Sequence, residues 1–138
     1  MLLYFGMGCR NVSKLLVPYN FDFNLIFGGL YPWASVIENA KYANNYDYNK
    51  AVFLMSDFDF LENGFFMLKQ DTAMAAPIAS AFYDYYDNTD ELNQYLRNHN
   101  DAIQCIVGKN HTPFGSSQTP NLWEYADQVD TLAFLLSL

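Results

Sequence analysis

Short apolar runs closed by proline or glycine alternate along this chain with segments whose apolar residues recur at helical spacing. That alternation restricts the fold to α/β architectures with a mostly parallel sheet. Leu15, Leu16 and Val17 precede Pro18, which cannot donate to a sheet ladder and so closes a short strand over 12–17. A short helix follows over 21–27, stopped by Gly28 and Gly29. Trp33, Val36, Ile37 and Ala40 then mark one helical face, with Pro32 in the first turn. Tyr48, Ala51, Val52 and Met55 mark the face of a further helix. Strands are expected over 65–68 and 75–86, the second with Pro77 near its start or on an edge. Asn88 and Glu91 form a capping box for a helix ending near 98–100, with Leu92, Tyr95 and Leu96 inward. Ile103, Cys105 and Val107 alternate up to Gly108 as a strand does. The tail is open on periodicity alone. It suits one long helix through Leu122, Ala126, Val129, Ala133 and Leu136, or a short helix begun by Pro120 and Asn121 with a buried strand over 131–138.

A chain of 138 residues is expected to form a single domain over 1–138, and no internal repeat or low-complexity segment divides it. Hydrophobic residues make up 51% and charged residues 16%, with 12 Phe and 11 Tyr, which excludes disorder by composition. The net charge of −8, with no Lys/Arg-rich stretch to offset it locally, argues against nucleic acid and anionic membrane surfaces as partners. The acidic stretch over 84–91 reads as a solvated strand end and helix start. No apolar run approaches the ~20 residues that span a bilayer. The run before Cys9 is too short for a signal peptide and has no basic lead-in. Two cysteines are too few for a disulfide framework, so the expected setting is a reducing one, the cytoplasm.

The residues that could carry chemistry are few. Cys9 follows Gly6-Met7-Gly8, and glycines there let a carbonyl substrate approach backbone N–H groups able to stabilise an oxyanion. Arg10 is placed to favour the reactive thiolate of its neighbour. Cys105 reads as a small apolar core residue in mid-strand. His99 suits a helix C-terminus, and His111 lies in a polar loop just before Pro113-Phe114-Gly115. No Cys/His spacing suggests zinc, and no metal is expected. There is no phosphate-cradling loop and no GxSxG elbow.

Three segments together resemble the aldehyde dehydrogenase superfamily, and within it the acyl-CoA reductases of the bioluminescence fatty-acid reductase type. Phe5-Gly6-Met7-Gly8-Cys9 with a strand after it is similar to the nucleophile segment, Cys9 standing at the nucleophile. Pro113-Phe114-Gly115 is similar to the turn that approaches the active site, and Leu122, Glu124, Tyr125, Gln128 and Thr131 keep the spacing that follows it. The region 71–78 stands where a cofactor-ribose motif would be, with Pro77 at its proline. Its glutamate position is Ala73, and the nearest carboxylate is Asp71. The runs Cys9-Arg10-Asn11-Val12-Ser13-Lys14, Asn63-Gly64-Phe65 and Trp123-Glu124-Tyr125-Ala126-Asp127 point to the reductase branch.

The resemblance implies a three-layer α/β catalytic domain, incomplete at its N-terminus, whose cofactor-binding domain would precede Cys9. It implies a tail strand over 132–138, paired with another protomer or domain in a homo-oligomer. It also implies reduction of a long-chain acyl-CoA or other acyl thioester to aldehyde through an acyl-Cys9 intermediate, with NADPH as hydride donor. Gly8 and Arg10 would shape the oxyanion and nucleophile turn, Phe114 and Gly115 the substrate channel, and Asp71 and Pro77 the cofactor ribose site. Alone, such a chain is expected to be inactive as a reductase and to expose apolar surface where its missing portion packs. The alternative is a non-catalytic oligomerisation or interaction module derived from the same fold.

Overall fold

The computed structural model describes residues 1–126 and 129–138. Its centre is an open four-stranded sheet in the order β1-β4-β3-β2. The strands are β1 (Lys14–Pro18), β2 (Phe60–Glu62), β3 (Met67–Gln70) and β4 (Ser80–Tyr86). Strand β4 pairs in parallel with β1 on one side and β3 on the other, while β2 runs antiparallel along β3. The helices are α1 (Asn24–Leu30), α2 (Ala40–Met55), α3 (Thr89–Asn98) and α4 (Thr131–Leu136), with a 3-10 helix over Tyr31–Glu38 between α1 and α2. The expectation of an α/β fold with a mostly parallel sheet holds.

Burial of successive residues identifies the sheet's centre. Met67, Leu68 and Lys69 of β3 and Ser80, Ala81 and Phe82 of β4 are all buried, so both faces of these strands are covered. Lys69 is only 7% exposed, and its ammonium lies 3.7 Å from the centroid of the Phe58 ring and 2.5 Å from Asp71 Oδ2. The paired carboxylate and the ring face together offset the cost of burying that charge.

Helix α2 is one continuous element from Ala40, where Asn39 caps it by accepting from Lys41 N–H at 3.0 Å and Tyr42 N–H at 3.4 Å. Its inward residues are Tyr42, Tyr46, Asn49 and Phe53. Tyr42 donates to the Phe65 carbonyl at 2.8 Å, and Asn49 donates to the Ile78 carbonyl at 2.9 Å. The face expected from Tyr48, Ala51, Val52 and Met55 is the outward one, with Met55 87% exposed. Tyr42, Tyr46 and Phe53 take the core positions instead, three large aromatic side chains on one face where the other face carries only Tyr48.

Other boundaries moved for local reasons. Gly28 and Gly29 lie inside α1, which continues to Leu30 and is followed directly by the 3-10 helix with Pro32 in its first turn. The strand expected over 75–86 begins only at Ser80, because residues 71–79 form the connection that brings β4 beside β3. Ser13 Oγ donates to the Met74 carbonyl at 2.8 Å, and the Lys14 ammonium donates to the Asp71 carbonyl, so β1 anchors that connection. Leu3–Gly6 is a 3-10 turn in which Tyr4 and Phe5 have φ of 51° and 58°.

Two expected strands are absent. Residues 103–107 form irregular chain, with Val107 bridging to Thr112 around a short turn, so Cys105 is not a mid-strand core residue. The tail expected as a strand over 132–138 is α4, capped by Asp130 accepting from Ala133 N–H at 2.9 Å. An Asp cap with three leucines and a phenylalanine behind it favours a helical turn.

Candidate functional site

The Cys9 turn is built by local hydrogen bonds. Asn11 N–H donates to the Gly8 carbonyl at 2.9 Å, leaving Cys9 and Arg10 at the two central positions. The Asn11 side chain reaches back to the Leu3 carbonyl at 2.9 Å. A Cβ at Gly8 would sit 3.2 Å from Asn11 Nδ2, so glycine permits this closure. Cys9 is exposed in this turn, five residues ahead of the first residue of β1.

Arg10 has a different role from the one its sequence position suggests. Its side chain is 10% exposed. Nε donates to the Ser117 carbonyl at 2.6 Å and Nη2 to Cys105 Sγ at 3.4 Å, with Glu124 Oε1 3.7 Å from Nη2. The thiol that this guanidinium touches is therefore Cys105, not Cys9. Gln118 completes the junction, its Nε2 donating to the Arg10 carbonyl at 3.2 Å and to Asn11 Oδ1 at 3.1 Å. Segments more than 100 residues apart in sequence are thus locked together.

The Pro113-Phe114-Gly115 motif forms a hydrogen-bonded turn, Ser116 N–H donating to the Pro113 carbonyl at 3.1 Å. Gly115 has φ of 83°, the positive value that the third position of such a turn demands. Phe114 is 85% exposed at its tip. This turn leads straight into Ser117 and Gln118, so it is docked on the Cys9 turn through Arg10. Beside the junction lies a polar cleft of about 230 Å³, lined by Arg10, Cys105, His111, Thr112 and Glu124 among others. Cys105 Sγ also reaches Thr112 Oγ1 at 3.4 Å. His99 lies elsewhere, stacked on Tyr95 at the end of α3.

Asp71 and Pro77 are both engaged in local structure. Asp71 Oδ2 receives the Lys69 ammonium and Oδ1 receives Ala73 N–H at 2.9 Å, and these two contacts hold the carboxyl below the usual carboxylate range. Pro77 lines a void of only about 10 Å³ beneath Leu2, Phe5 and Tyr42, too small for a sugar. These two residues do not fit the ribose of a nicotinamide cofactor. Among the described residues, no group of three or more His, Cys, Asp or Glu side chains could hold a metal ion. None of the helices there is long and apolar enough to cross a membrane.

Sequence reasoning missed Ser117, Gln118 and the pairing of Arg10 with Cys105. These contacts join positions that share no local pattern. Gln128, which belongs to the spacing after the Pro-Phe-Gly motif, and Asp127, which ends the run from Trp123, lie outside the described residues. Fold and site together define an open α/β sheet presenting an exposed thiol on a glycine-assisted turn ahead of an edge strand. No protein-family model, no curated protein and no solved structure matches the chain.

Proposed function

We propose that this chain carries the acyl-accepting cysteine of an acyl thioester reductase of the kind its motifs resemble. One observation supports the reading above the others. The Cys9 turn and the Pro113-Phe114-Gly115 turn, remote in sequence, are docked by Arg10 and Gln118. Both present their reactive or apolar tip outward, Cys9 exposed and Phe114 85% exposed.

In this reading the Cys9 thiolate attacks the carbonyl carbon of an acyl thioester such as a long-chain acyl-CoA. The new bond is Cys9 Sγ to the acyl carbon, the bond to the leaving sulfur breaks, and CoA departs as its thiolate. Backbone N–H groups of the turn over 8–11 stabilise the oxyanion while both sulfurs are attached. The hydride that would take the acyl-enzyme to aldehyde belongs to NADPH in the family resembled. Asp71 and Pro77 offer that cofactor no fitted site, so the reading for this chain stops at acyl-Cys9.

The test is intact-mass analysis of the chain after incubation with a long-chain acyl-CoA. The expected result is one hydroxylamine-sensitive acyl adduct, lost in Cys9→Ser and kept in Cys105→Ser. An adduct that persists in Cys9→Ser overturns the assignment, as does no adduct while iodoacetamide still alkylates Cys9.

A second reading, an interaction module without catalysis, is favoured by a specific observation. Leu132, Phe134, Leu135 and Leu136 of α4 are all exposed, as are Leu122 and Trp123. Apolar surface of this extent suits assembly. That reading gains if Cys9 alkylates no faster than Cys105.

A further inference from the structure

The polar cleft of about 230 Å³ beside the Arg10 junction has no part in the acyl transfer proposed for Cys9. Its wall nevertheless gathers a thiol, a guanidinium, a hydroxyl and a carboxylate, from Cys105, Arg10, Thr112 and Glu124, with the His111 ring beside them. Two polar groups converge on the thiol. Arg10 Nη2 donates to Cys105 Sγ at 3.4 Å, and Sγ donates to Thr112 Oγ1 at 3.4 Å. A threonine hydroxyl rotates, so it can donate to the sulfur once the thiol proton has left.

The guanidinium is held for this task. Its side chain is nine-tenths buried, with Nε committed to the Ser117 carbonyl at 2.6 Å and Glu124 Oε1 3.7 Å from Nη2. Glu124 is fixed in turn, its other carboxylate oxygen accepting from Asn121 N–H at 2.6 Å. Among the described residues no hydrogen bond uses Nη1, so the cation keeps two N–H groups for a guest in the cleft it lines. Unspent donors on a buried charge are costly, and a guest with an acceptor oxygen relieves that cost. The neighbouring sulfur requires that the same guest carry an electrophilic atom. A small hydroperoxide meets both demands.

We propose that Cys105 is a peroxide-reactive thiol, oxidised to sulfenic acid by hydrogen peroxide bound in this cleft between Arg10 and Thr112. Sγ attacks one peroxide oxygen, the S–O bond forms and the O–O bond breaks. The thiol proton ends on the departing hydroxide, which leaves as water. Sulfur is oxidised by two electrons and the peroxide is reduced by two. The guanidinium and the Thr112 hydroxyl stabilise the negative charge shared by sulfur and the departing oxygen. Cys9 is the more exposed thiol, yet among the described residues no side chain hydrogen-bonds to its sulfur. The assignment is independent of the role of Cys9.

The experiment treats the full chain with hydrogen peroxide in the presence of dimedone, which traps sulfenic acids, and reads both cysteines by peptide mass mapping. Cys105 is expected to be trapped about tenfold faster than Cys9, against the order that exposure alone would give. Iodoacetamide supplies the reference, because it consumes the same thiolate but needs no donor at a departing oxygen. At Cys105 the ratio of peroxide to iodoacetamide rates should fall about tenfold in Arg10→Lys and in Thr112→Val, the loss of one hydrogen bond in the transition state. Lysine keeps the charge but not the fork of N–H groups.

Trapping of Cys9 as fast as Cys105 overturns the assignment, as does a Cys105 that gives no dimedone adduct. A rate ratio unchanged in Thr112→Val also overturns it. That variant is nearly isosteric and keeps the backbone bond from Thr112 N–H to the Ile106 carbonyl, so it decides the matter even if Arg10→Lys fails to fold.

Discussion

Tyr42 shows at single-residue resolution how this core is specified. Its ring is fully buried and its hydroxyl donates to the Phe65 carbonyl at 2.8 Å, so one side chain fills volume and satisfies the chain entering β3. Tyr42→Phe leaves that carbonyl without its donor and should cost about 1–2 kcal/mol, read as a lower urea midpoint with an unchanged slope. Burial also pushes the Tyr42 hydroxyl well above the ordinary tyrosine value of 10.0, and burial followed by the Glu62 contact does the same for Tyr46. A raised folded-state pKa means that the folded chain retains protons that the unfolded chain releases. Stability from both tyrosines is therefore full below the unfolded value and falls as pH rises beyond it. The urea midpoint should decline above pH about 10, and the decline should be shallower in Tyr42→Phe. The candidate site was partly readable at this scale. Cys9 could be picked out from its glycines, but the partners of Arg10 could not, because side-chain direction at a turn is settled by what packs against it.

Among the elements, edge strand β2 is the one most dependent on side-chain chemistry. It is three residues long, and its Glu62 carboxylate accepts from Lys50 of α2 at 2.6 and 2.8 Å and from the Tyr46 hydroxyl. Burial raises the Glu62 pKa, but the bonds from Lys50 and Tyr46 outweigh it and hold the group below its usual value. A depressed folded pKa gives stability that is present above the unfolded value and lost as pH falls through the folded one. Glu62→Gln should destabilise by up to about 1 kcal/mol, since the pair is partly solvated, and should flatten the acid limb of the pH–stability curve. Helix α3 behaves as its sequence indicates. Asn88 accepts from Glu91 N–H at 2.9 Å, and Leu92, Tyr95 and Leu96 are its half-buried face. The Glu91 carboxylate accepts from Asp87 N–H at 2.7 Å, one residue earlier than the expected reciprocal bond. Asn88→Ala should cost about 1 kcal/mol, checked by thermal unfolding followed at 222 nm. Capping boxes are visible in sequence because every contact lies within one turn of chain.

For the molecule as a whole, the tail is the element whose removal tests the architecture. The α4 side chains are exposed along their length, so they contribute little to the core built on Tyr42, Met67 and Leu68. A chain ended after Asp130 should keep its melting temperature within about 3 °C, whereas a loss several times larger would show that α4 is integral to the fold. Strand β1, the capped helix α3 and the α/β character were determined by the sequence alone, since proline, an Asn cap and apolar spacing act over a few bonds. Tertiary structure alone decided which face of α2 turns inward. It also made the tail a helix rather than a strand, left 103–107 irregular and turned Arg10 toward Ser117 and Cys105. Each of those outcomes depends on competition for partners distant in the chain. A local pattern can state that a side chain is apolar, extended or charged, but only the assembled core determines which of several suitable partners it meets.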